Sequence, residues 1–214
     1  MGLRLAHTHS GSSAVTGKGH PAPGGGVLDG GGRASGAGER PASAQADAVA
    51  LEGGGLLTHI DGSGKASMVD VGYKAPTRRE AVAAATVALG PVAYGALTSG
   101  ANAKGDVLAV ARVAGILAAK KTAELIPLCH PLLLSHVGVE YTLEPRSHAL
   151  HIRASAACAG GTGVEMEAMT AAAVVALTVY DMCKAASKGI VVKDLRLVRK
   201  SGGKSGEWRA DDAA

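Results

Sequence analysis

Residues 136–154 read HVGVEYTLEPRSHALHIRA and contain two short runs in which apolar and polar residues alternate. The first run covers residues 136–143 and the second covers residues 150–154. Alternation with a period of two residues is typical of strands that bury one face. Only a short turn around Pro145 separates the runs. The stretch therefore predicts an antiparallel β-hairpin.

A long helix is predicted after the hairpin, from about Gly163 to Ser187. Residues 168–180 within it carry no charge, and a helix that is apolar all round is buried on several sides. Thr162 and Glu165 have the spacing of an N-terminal capping box. A last strand is predicted over residues 190–198, followed by a tail rich in Gly and Lys.

Upstream of the hairpin, the sequence predicts a strand over residues 66–71 and two helices. The first helix is predicted over residues 77–89, between a capping box that begins at Thr77 and a stop at Gly90-Pro91. The second is predicted over residues 106–121, with an aspartate as its N-cap. Helices mixed with mostly antiparallel strands indicate an α+β fold that has its helices on one face of a sheet.

Composition divides the 214-residue chain into three parts. Residues 1–55 hold 15 of the 31 glycines and lack periodic apolar residues, so they are predicted to form a disordered extension. Residues 56–207 are predicted to form one domain, and residues 208–214 a flexible tail. Hydrophobic residues make up 47% of the chain but aromatic residues only 2%, so the core must be aliphatic.

Charge and cysteine content limit the partners and the compartment. The net charge of +4 suits anionic partners without choosing among them. Three cysteines without C-x-x-C spacing favour a reducing intracellular compartment. No apolar run has the length of a membrane span and no secretory signal is visible, so no membrane partner is expected. Residues 1–55 are compatible with a plain extension or a transit peptide, which leaves the cytoplasm and the mitochondrial matrix as expected locations.

The loop around Cys129 and His130 lies between two prolines, Pro127 and Pro131. A residue that precedes proline is restricted to extended conformations, so the loop should be stiff and hold both side chains in fixed directions. Histidine is the side chain best suited to exchange protons near neutral pH. A rigid loop with a hydrogen-bonded His and a buried Cys explains the pattern equally well.

Both ends of the long helix carry charged residues. Glu165 and Glu167 are adequately explained as acidic residues that complement the dipole of a helix N-terminus. Asp181 and Lys184 are three residues apart at the end of an apolar helix, where charges are better candidates for a site. Glu167 and Asp181 are separated by roughly 21 Å of helix. If both ends are functional, either the substrate is long or the pocket combines two subunits, which antiparallel copies of this helix in a symmetric dimer would allow.

Two lysine-containing segments could bind anions. Lys104 and a glycine open the second helix, whose N-terminus favours anions. Lys200 and Lys204 flank a Gly-Gly pair, which is either a phosphate-binding segment or a flexible tail, since the spacing is not that of a P-loop. No second ligand pair accompanies Cys129-His130, so no metal site is predicted. The strands offer essentially Tyr141 alone for base stacking, which argues against a nucleic-acid partner.

Five motifs follow one another along the chain: KGDV at 104–107, IPLCHPL at 126–132, TGVEMEA at 162–168, YDMCKA at 180–185 and KSGGKSG at 200–206. LTHI at 57–60 and MVDV at 68–71 precede them. In this order the motifs resemble the molybdenum cofactor biosynthesis protein C family, the cyclic pyranopterin monophosphate synthases. The resemblance covers about residues 56–207.

The resemblance implies a ferredoxin-like α+β fold, with an antiparallel sheet and helices packed on one face. It implies a hexamer, built as a trimer of dimers, with active sites at the dimer interfaces. The implied reaction converts 3′,8-cyclo-7,8-dihydro-GTP to cyclic pyranopterin monophosphate and releases pyrophosphate, a lyase reaction that needs no cofactor and no metal. A radical enzyme would supply this small-molecule substrate, which implies a functional link between the two proteins.

The resemblance also assigns site residues. Those expected to be catalytic are Lys104, His130, Asp181 and Lys184. Those expected to bind substrate are Asp70, Cys129, Glu165, Met166, Glu167, Lys200 and Lys204. The two catalytic lysines are expected to act as general acid and base with a lowered pKa, while Lys200, Lys204 and His130 bind the triphosphate. The rival interpretation is a non-enzymatic nucleotide- or RNA-binding module on the same fold.

Overall fold

The computed structural model describes residues 65–100 and 104–210, and the backbone of two short strands before them. These strands, β1 (Val49–Ala50) and β2 (Leu56–Leu57), pair antiparallel. The rest of the predicted N-terminal extension and most of the LTHI motif lie outside the described residues.

Within the described residues, five more strands and four helices follow. The strands are β3 (Thr77–Ala88), β4 (Leu134–Glu144), β5 (Ala149–Gly160), β6 (Val191–Ser201) and β7 (Trp208–Arg209). The helices are α1 (Gly90–Thr98), α2 (Val107–Lys120), α3 (Thr122–Leu125) and α4 (Glu165–Cys183). The strands form one antiparallel sheet in the order β4-β5-β3-β6-β7. Helix α4 packs on β3, β5 and β6, and α2 packs on α4, which confirms the predicted α+β fold.

The predicted hairpin and the second helix are confirmed. Strands β4 and β5 pair in a register that sets Tyr141 opposite Ile152, and both strands are longer than the alternating runs suggested. Helix α2 begins after Asp106, whose carboxylate accepts a hydrogen bond of 3.0 Å from the backbone N–H of Ala109. The predicted long helix is also present as α4, a few residues shorter at each end.

The helix predicted over residues 77–89 is wrong, because this segment is β3 and lies between β5 and β6. Its fully buried residues, which include Ala81, Ala83, Ala85 and Val87, follow the period of a strand. Alanine favours helices, but pairing on both edges and burial under α4 override that propensity. Gly90-Pro91 begins α1 instead of ending a helix, with the proline in the first turn, where its missing N–H costs little.

Several smaller predictions also differ from the structure. The strand expected over residues 66–71 is an extended segment in which only Ala66 forms a bridge. The capping box at Thr162 is wrong, because the N-cap of α4 is Val164 and no side chain caps it. Strand β6 runs to Ser201 rather than ending at 198, so Lys200 lies on the sheet. Strand β7 occupies the start of the predicted C-terminal tail.

The core is aliphatic, as the composition predicted, and α4 lies at its centre. Its buried residues include Ala171, Val175 and Val179, which join Leu150 and Ile152 of β5 in one cluster. Among the described residues, α4 is the one helix whose length and apolar composition would allow it to cross a membrane. Its packing against the sheet is that of a core helix, which meets the same criterion.

The crossing of α2 and α4 depends on the absence of a side chain at Gly115. A Cβ atom at Gly115 would lie 2.4 Å from Val175 Cγ2 and 3.2 Å from the carbonyl oxygen of Ala171. We expect Gly115→Ala to lower the free energy of unfolding by about 1–3 kcal/mol, the usual cost of overpacking. The measurement is urea denaturation at fixed protein concentration.

Gly95, inside α1, provides the matched control, because a Cβ there would meet nothing within 4 Å. Gly95→Ala should raise stability by about 1 kcal/mol or less through helix propensity. Equal effects of the two substitutions would contradict the close packing of α2 on α4.

Candidate active site

A cavity of about 290 Å³ lies at the N-terminal end of α4, and we call it the inner cavity. Three segments form it: the extended chain before β3, the proline-flanked loop and the start of α4. Its lining residues are Val69, Val71, Lys74, Leu128, Cys129, His130, Leu132, Thr162, Gly163, Glu165, Met166 and Glu167. Two of the five family motifs, IPLCHPL and TGVEMEA, therefore meet at one place, where apolar walls surround a His and two carboxyl groups.

A larger cavity of about 870 Å³, the outer cavity, adjoins the inner one and shares Lys74 and Glu165 with it. Its other cationic residues are Arg79, Lys200 and Lys204. The Lys200 ammonium lies 3.7 Å from Glu165 Oε1 and donates a 2.5 Å hydrogen bond to Ser205 Oγ. Four cationic residues line the outer cavity against two carboxylates, those of Glu165 and Glu80. This excess of positive charge makes the outer cavity suitable for a polyanion.

The KSGGKSG segment turns sharply at Gly202 and Gly203, which have φ values of +98° and +71°. A Cβ at Gly202 would lie 2.1 Å from the carbonyl oxygen of Arg78, so the turn packs directly on β3. Beneath it, the Arg79 guanidinium donates to the carbonyl oxygens of Gly160 and Gly161, each at 3.3 Å. Only glycine fits this backbone, and the lysines on either side of it line the outer cavity.

Glu167 is the most deeply buried charged residue of the site, with 3% of its surface exposed. Burial raises the pKa of its carboxyl group, and the nearby charge of Glu165 adds to the rise. Burial also raises the pKa of the Cys129 thiol, and the charge of Glu167 contributes. Cys129 therefore stays protonated at neutral pH and is unsuited to nucleophilic attack, whereas Glu167 can hold a proton more readily than an exposed carboxyl group.

The raised pKa of Glu167 predicts a pH-dependent stability. The folded protein binds the Glu167 proton more tightly than the unfolded chain does. The free energy of unfolding therefore falls as pH rises from the ordinary glutamate pKa through the raised pKa of Glu167 in the folded state. We expect Glu167→Gln to be more stable than wild type at pH 8 and to lose less stability between pH 4 and pH 8. Urea denaturation across this range measures the difference.

Glu124→Gln, at an exposed carboxyl group on α3, is the control and should leave the pH dependence of wild type unchanged. An identical pH dependence in Glu167→Gln and wild type would show that the buried carboxyl group does not titrate abnormally.

A second cluster lies at the C-terminal end of α4, where Asp181 pairs with two lysines. Lys104 Nζ is 2.9 Å from Asp181 Oδ2 and also donates to the Asp181 carbonyl oxygen at 3.1 Å. Lys184 Nζ is 2.6 Å from Asp181 Oδ1. Hydrogen bonds from Lys184 and then Lys104 lower the pKa of Asp181 to about 2. The three side chains are about half exposed, so the cluster lies on the surface of the chain, open to solvent.

The expectation of a lowered lysine pKa is wrong for Lys184 in this structure. The hydrogen bond and charge of Asp181 raise the pKa of Lys184, because the ammonium is exposed and has a carboxylate partner instead of burial among cations. An ammonium with this pairing is a proton donor rather than a ready base at neutral pH.

The predicted site residues therefore fall into two groups. The inner and outer cavities contain Cys129, His130, Glu165, Met166, Glu167, Lys200 and Lys204. The cluster contains Lys104, Asp181 and Lys184. The groups lie at opposite ends of α4, roughly 21 Å apart along the axis between residues 167 and 181, so one chain does not bring them together.

Asp70 stands apart from both groups. Its exposed carboxylate accepts a 2.9 Å hydrogen bond from the backbone N–H of Gly72, and its neighbours Val69 and Val71 line the inner cavity instead. The sequence analysis did not single out Lys74 or Arg79, because neither residue is part of a recognisable motif. The one available signal for them was their closeness to the MVDV motif.

The arrangement can bind a polyanion next to a group that exchanges protons. Apolar side chains of the inner cavity, such as Leu128, Leu132 and Met166, offer a surface for a flat ring, while His130 and Glu167 can exchange protons with it. Among the described residues, no three His, Cys, Asp or Glu side chains form a group that could hold a metal ion.

Comparison with known proteins agrees with these motifs. The sequence model of the MoaC family matches residues 68–203. A protein of Bordetella avium (strain 197N), named cyclic pyranopterin monophosphate synthase, is 59% identical over 155 residues, which are 72% of this chain and 96% of that protein. A protein of the same name from Chloroflexus aggregans (strain MD-66 / DSM 9485) is 55% identical over 158 residues, 74% of this chain and 96% of that protein. The chain therefore belongs to the MoaC family.

Proposed function

We propose that this chain is a cyclic pyranopterin monophosphate synthase of molybdenum cofactor biosynthesis. It converts 3′,8-cyclo-7,8-dihydro-GTP to cyclic pyranopterin monophosphate and releases pyrophosphate, as a lyase. The observation that carries this proposal is the cationic outer cavity, which adjoins an inner cavity with apolar walls and proton-exchanging groups. The name shared by relatives at 55–59% identity supports it.

The outer cavity binds the triphosphate. Lys200 and Lys204 supply charge from either side of the glycine turn, Arg79 supplies it from beneath that turn, and Lys74 supplies it from the chain before β3. Ammonium groups bind phosphate oxygens through charge-assisted hydrogen bonds, and Arg79, whose guanidinium already donates to the carbonyl oxygens of Gly160 and Gly161, adds its positive charge. Cations placed around the phosphates also stabilise the negative charge that develops on pyrophosphate as it leaves. His130, which lines the inner cavity, completes this set.

The inner cavity binds the guanine-derived ring. Glu165 and Glu167 are the groups that hold the polar edge of the ring, while Met166 and Cys129 contact it. Glu167 carries a proton more readily than an exposed carboxyl group because it is buried. Opening the guanine ring and building the pterin require several proton transfers, for which a buried carboxyl group and an imidazole are suitable partners.

Lys104 and Lys184 act as general acid and base, and Asp181 orients both ammonium groups. Lys184 starts as the donor, because its pKa is raised by Asp181. For these lysines to reach the ring, the cluster of one chain must meet the inner cavity of another. An antiparallel second copy of α4 places the two ends together.

The helical layer has a surface that a second copy could cover. Val110, Val113 and Leu117 of α2 are exposed, at the spacing of one helix face, and Leu177 of α4 is exposed as well. The proposed assembly is a hexamer, a trimer of dimers in which each site takes residues from two chains. We further propose that a radical enzyme supplies the substrate in the same compartment, for which the bacterial relatives favour the cytoplasm over a mitochondrial matrix.

The test is to incubate the purified chain with the cyclised nucleotide and to follow pyrophosphate and the pterin product. Stoichiometric formation of both is expected. Folded protein that releases no pyrophosphate but binds RNA with a strong salt dependence would favour the rival binding module.

A further inference from the structure

A third cavity, of about 360 Å³, lies on the face of the sheet that the helices leave open. Its charged lining consists of Arg153, Arg199 and Arg209, and its floor consists of Val82, Val198 and Ala210. The neighbours of these residues identify the face. Ala81, Ala83, Ile152 and Ala154 are buried in the core cluster with α4, so the alternate residues Val82 and Arg153 face the other way. This cavity shares no lining residue with the inner or the outer cavity, although Glu80 of the outer cavity lies 3.8 Å from Arg199.

A β-bulge shapes the cavity. The register of β3 with β6 passes from Val82 opposite Arg199 to Ala83 opposite Leu197, which leaves Val198 as the extra residue. The carbonyl oxygen of Val198 accepts a 2.9 Å hydrogen bond from the N–H of Ala210. This bond fixes the end of β7 against the bulge. Bulges of this kind redirect side chains and are common beside functional sites.

The pairing of β6 with β7 sets two arginines directly opposite each other. Arg199 and Arg209 are Cα partners in the β6–β7 ladder, and like charges in that position destabilise a sheet. The carboxylates nearby compensate only in part. Glu207 pairs with Arg209 at 2.8 Å, whereas Glu80 lies 3.8 Å from Arg199 and is bound more closely by Arg78.

The third arginine, Arg153, makes no ion pair with a carboxylate in the described part of the chain, although Glu140 is its Cα partner on β4. Three guanidinium groups thus converge with one close carboxylate among them. A like-charge cluster of this kind, built on paired strands rather than on a loop, is offset when an anion binds between the arginines.

We propose that Arg153, Arg199 and Arg209 form a second anion site, which takes a phosphate-type anion outside the catalytic cavities. Guanidinium groups match phosphate oxygens in pairs, and the cavity has room for a phosphate or a pyrophosphate. A nucleic-acid strand fits less well, because none of the described residues that line the cavity is aromatic and could stack on a base.

The experiment is calorimetric titration of the full chain with pyrophosphate in chloride buffer. To reduce binding in the outer cavity, it is done in a Lys200→Ala/Lys204→Ala background. In that background we expect Arg153→Gln to weaken pyrophosphate binding about tenfold or more, as for the loss of a charged hydrogen-bond partner. Arg153→Lys should lose less affinity for pyrophosphate than Arg153→Gln does, because lysine keeps the positive charge but cannot donate two parallel hydrogen bonds as a guanidinium does.

Arg146→Gln, in the exposed hairpin turn, is the matched control and should bind like the background protein. Arg209→Gln gives a second measure at an exposed position, and circular dichroism confirms that each variant is folded. Parallel titrations with phosphate and GTP distinguish a free anion from a nucleotide phosphate as the preferred ligand. Equal affinity in Arg153→Gln and Arg146→Gln, or binding of RNA without binding of pyrophosphate, would overturn the proposal.

Discussion

Replacing Lys184 by Ala is expected to reduce kcat for pyrophosphate release by about 10²- to 10⁴-fold, the range typical for loss of a general acid or base. Lys104→Ala should have an effect of similar size, because both ammonium groups bind the same Asp181 carboxylate. The fold should be retained, since all three side chains are about half exposed and exposed ion pairs contribute little to stability. Steady-state assays and circular dichroism measure the two effects.

Lys184→Arg separates proton transfer from simple charge. Arginine keeps a positive group beside Asp181 but does not give up its proton near neutral pH. The variant should therefore be nearly as inactive as Lys184→Ala if Lys184 transfers protons, and largely active if it supplies only charge. A second lysine offers a matched control: Lys121 pairs with Glu124 at the same three-residue spacing, at 3.6 Å, and Lys121→Ala should keep wild-type turnover. Wild-type rates in both Lys104→Ala and Lys184→Ala would refute the assigned roles.

The hairpin, α2 and α4 could be predicted because each has a strong local signal. The hairpin has two-residue alternation, α2 has an Asp106 cap, and α4 has an apolar run bounded by charges. Strand β3 has no such signal. Its alanines are favourable in helices, and their two-residue pattern becomes visible only when burial by α4 on one face is known. The central strand of the sheet was therefore the element that local reasoning missed.

The site shows the same division between local and tertiary information. The motifs contain the residues that meet in the inner cavity, but they do not reveal that Arg79 lies beneath the glycine turn, which depends on β3 being a strand. The Lys184 pKa was predicted in the wrong direction because spacing does not give exposure. Spacing did give the separation of Glu167 and Asp181, because both lie within α4, and that separation keeps the two groups of site residues apart.

This separation leads to the prediction with the largest qualitative effect, which concerns mixtures of two inactive variants. His130→Ala damages the inner cavity, and Lys184→Ala damages the cluster at the other end of α4. If each site takes its inner cavity from one chain and its cluster from another, a mixed dimer contains one site with both defects and one site with neither. Random mixing should then restore about a quarter of wild-type turnover, because half of the dimers are mixed and each has one intact site.

The measurement is turnover after the two variants are unfolded together in urea and refolded, or after they are coexpressed. Mixing them without unfolding, and refolding each alone, give the baselines. The double variant His130→Ala/Lys184→Ala, refolded with wild type, supplies a matched control. Its mixed dimers have two sites with one defect each, so they should add no turnover to that of the wild-type dimers in the same mixture. Recovery in the first mixture can arise only if one site draws on two chains, since no single chain there carries both intact groups. A first mixture no more active than its components would mean that the cluster of Lys104, Asp181 and Lys184 does not serve the inner cavity of a partner.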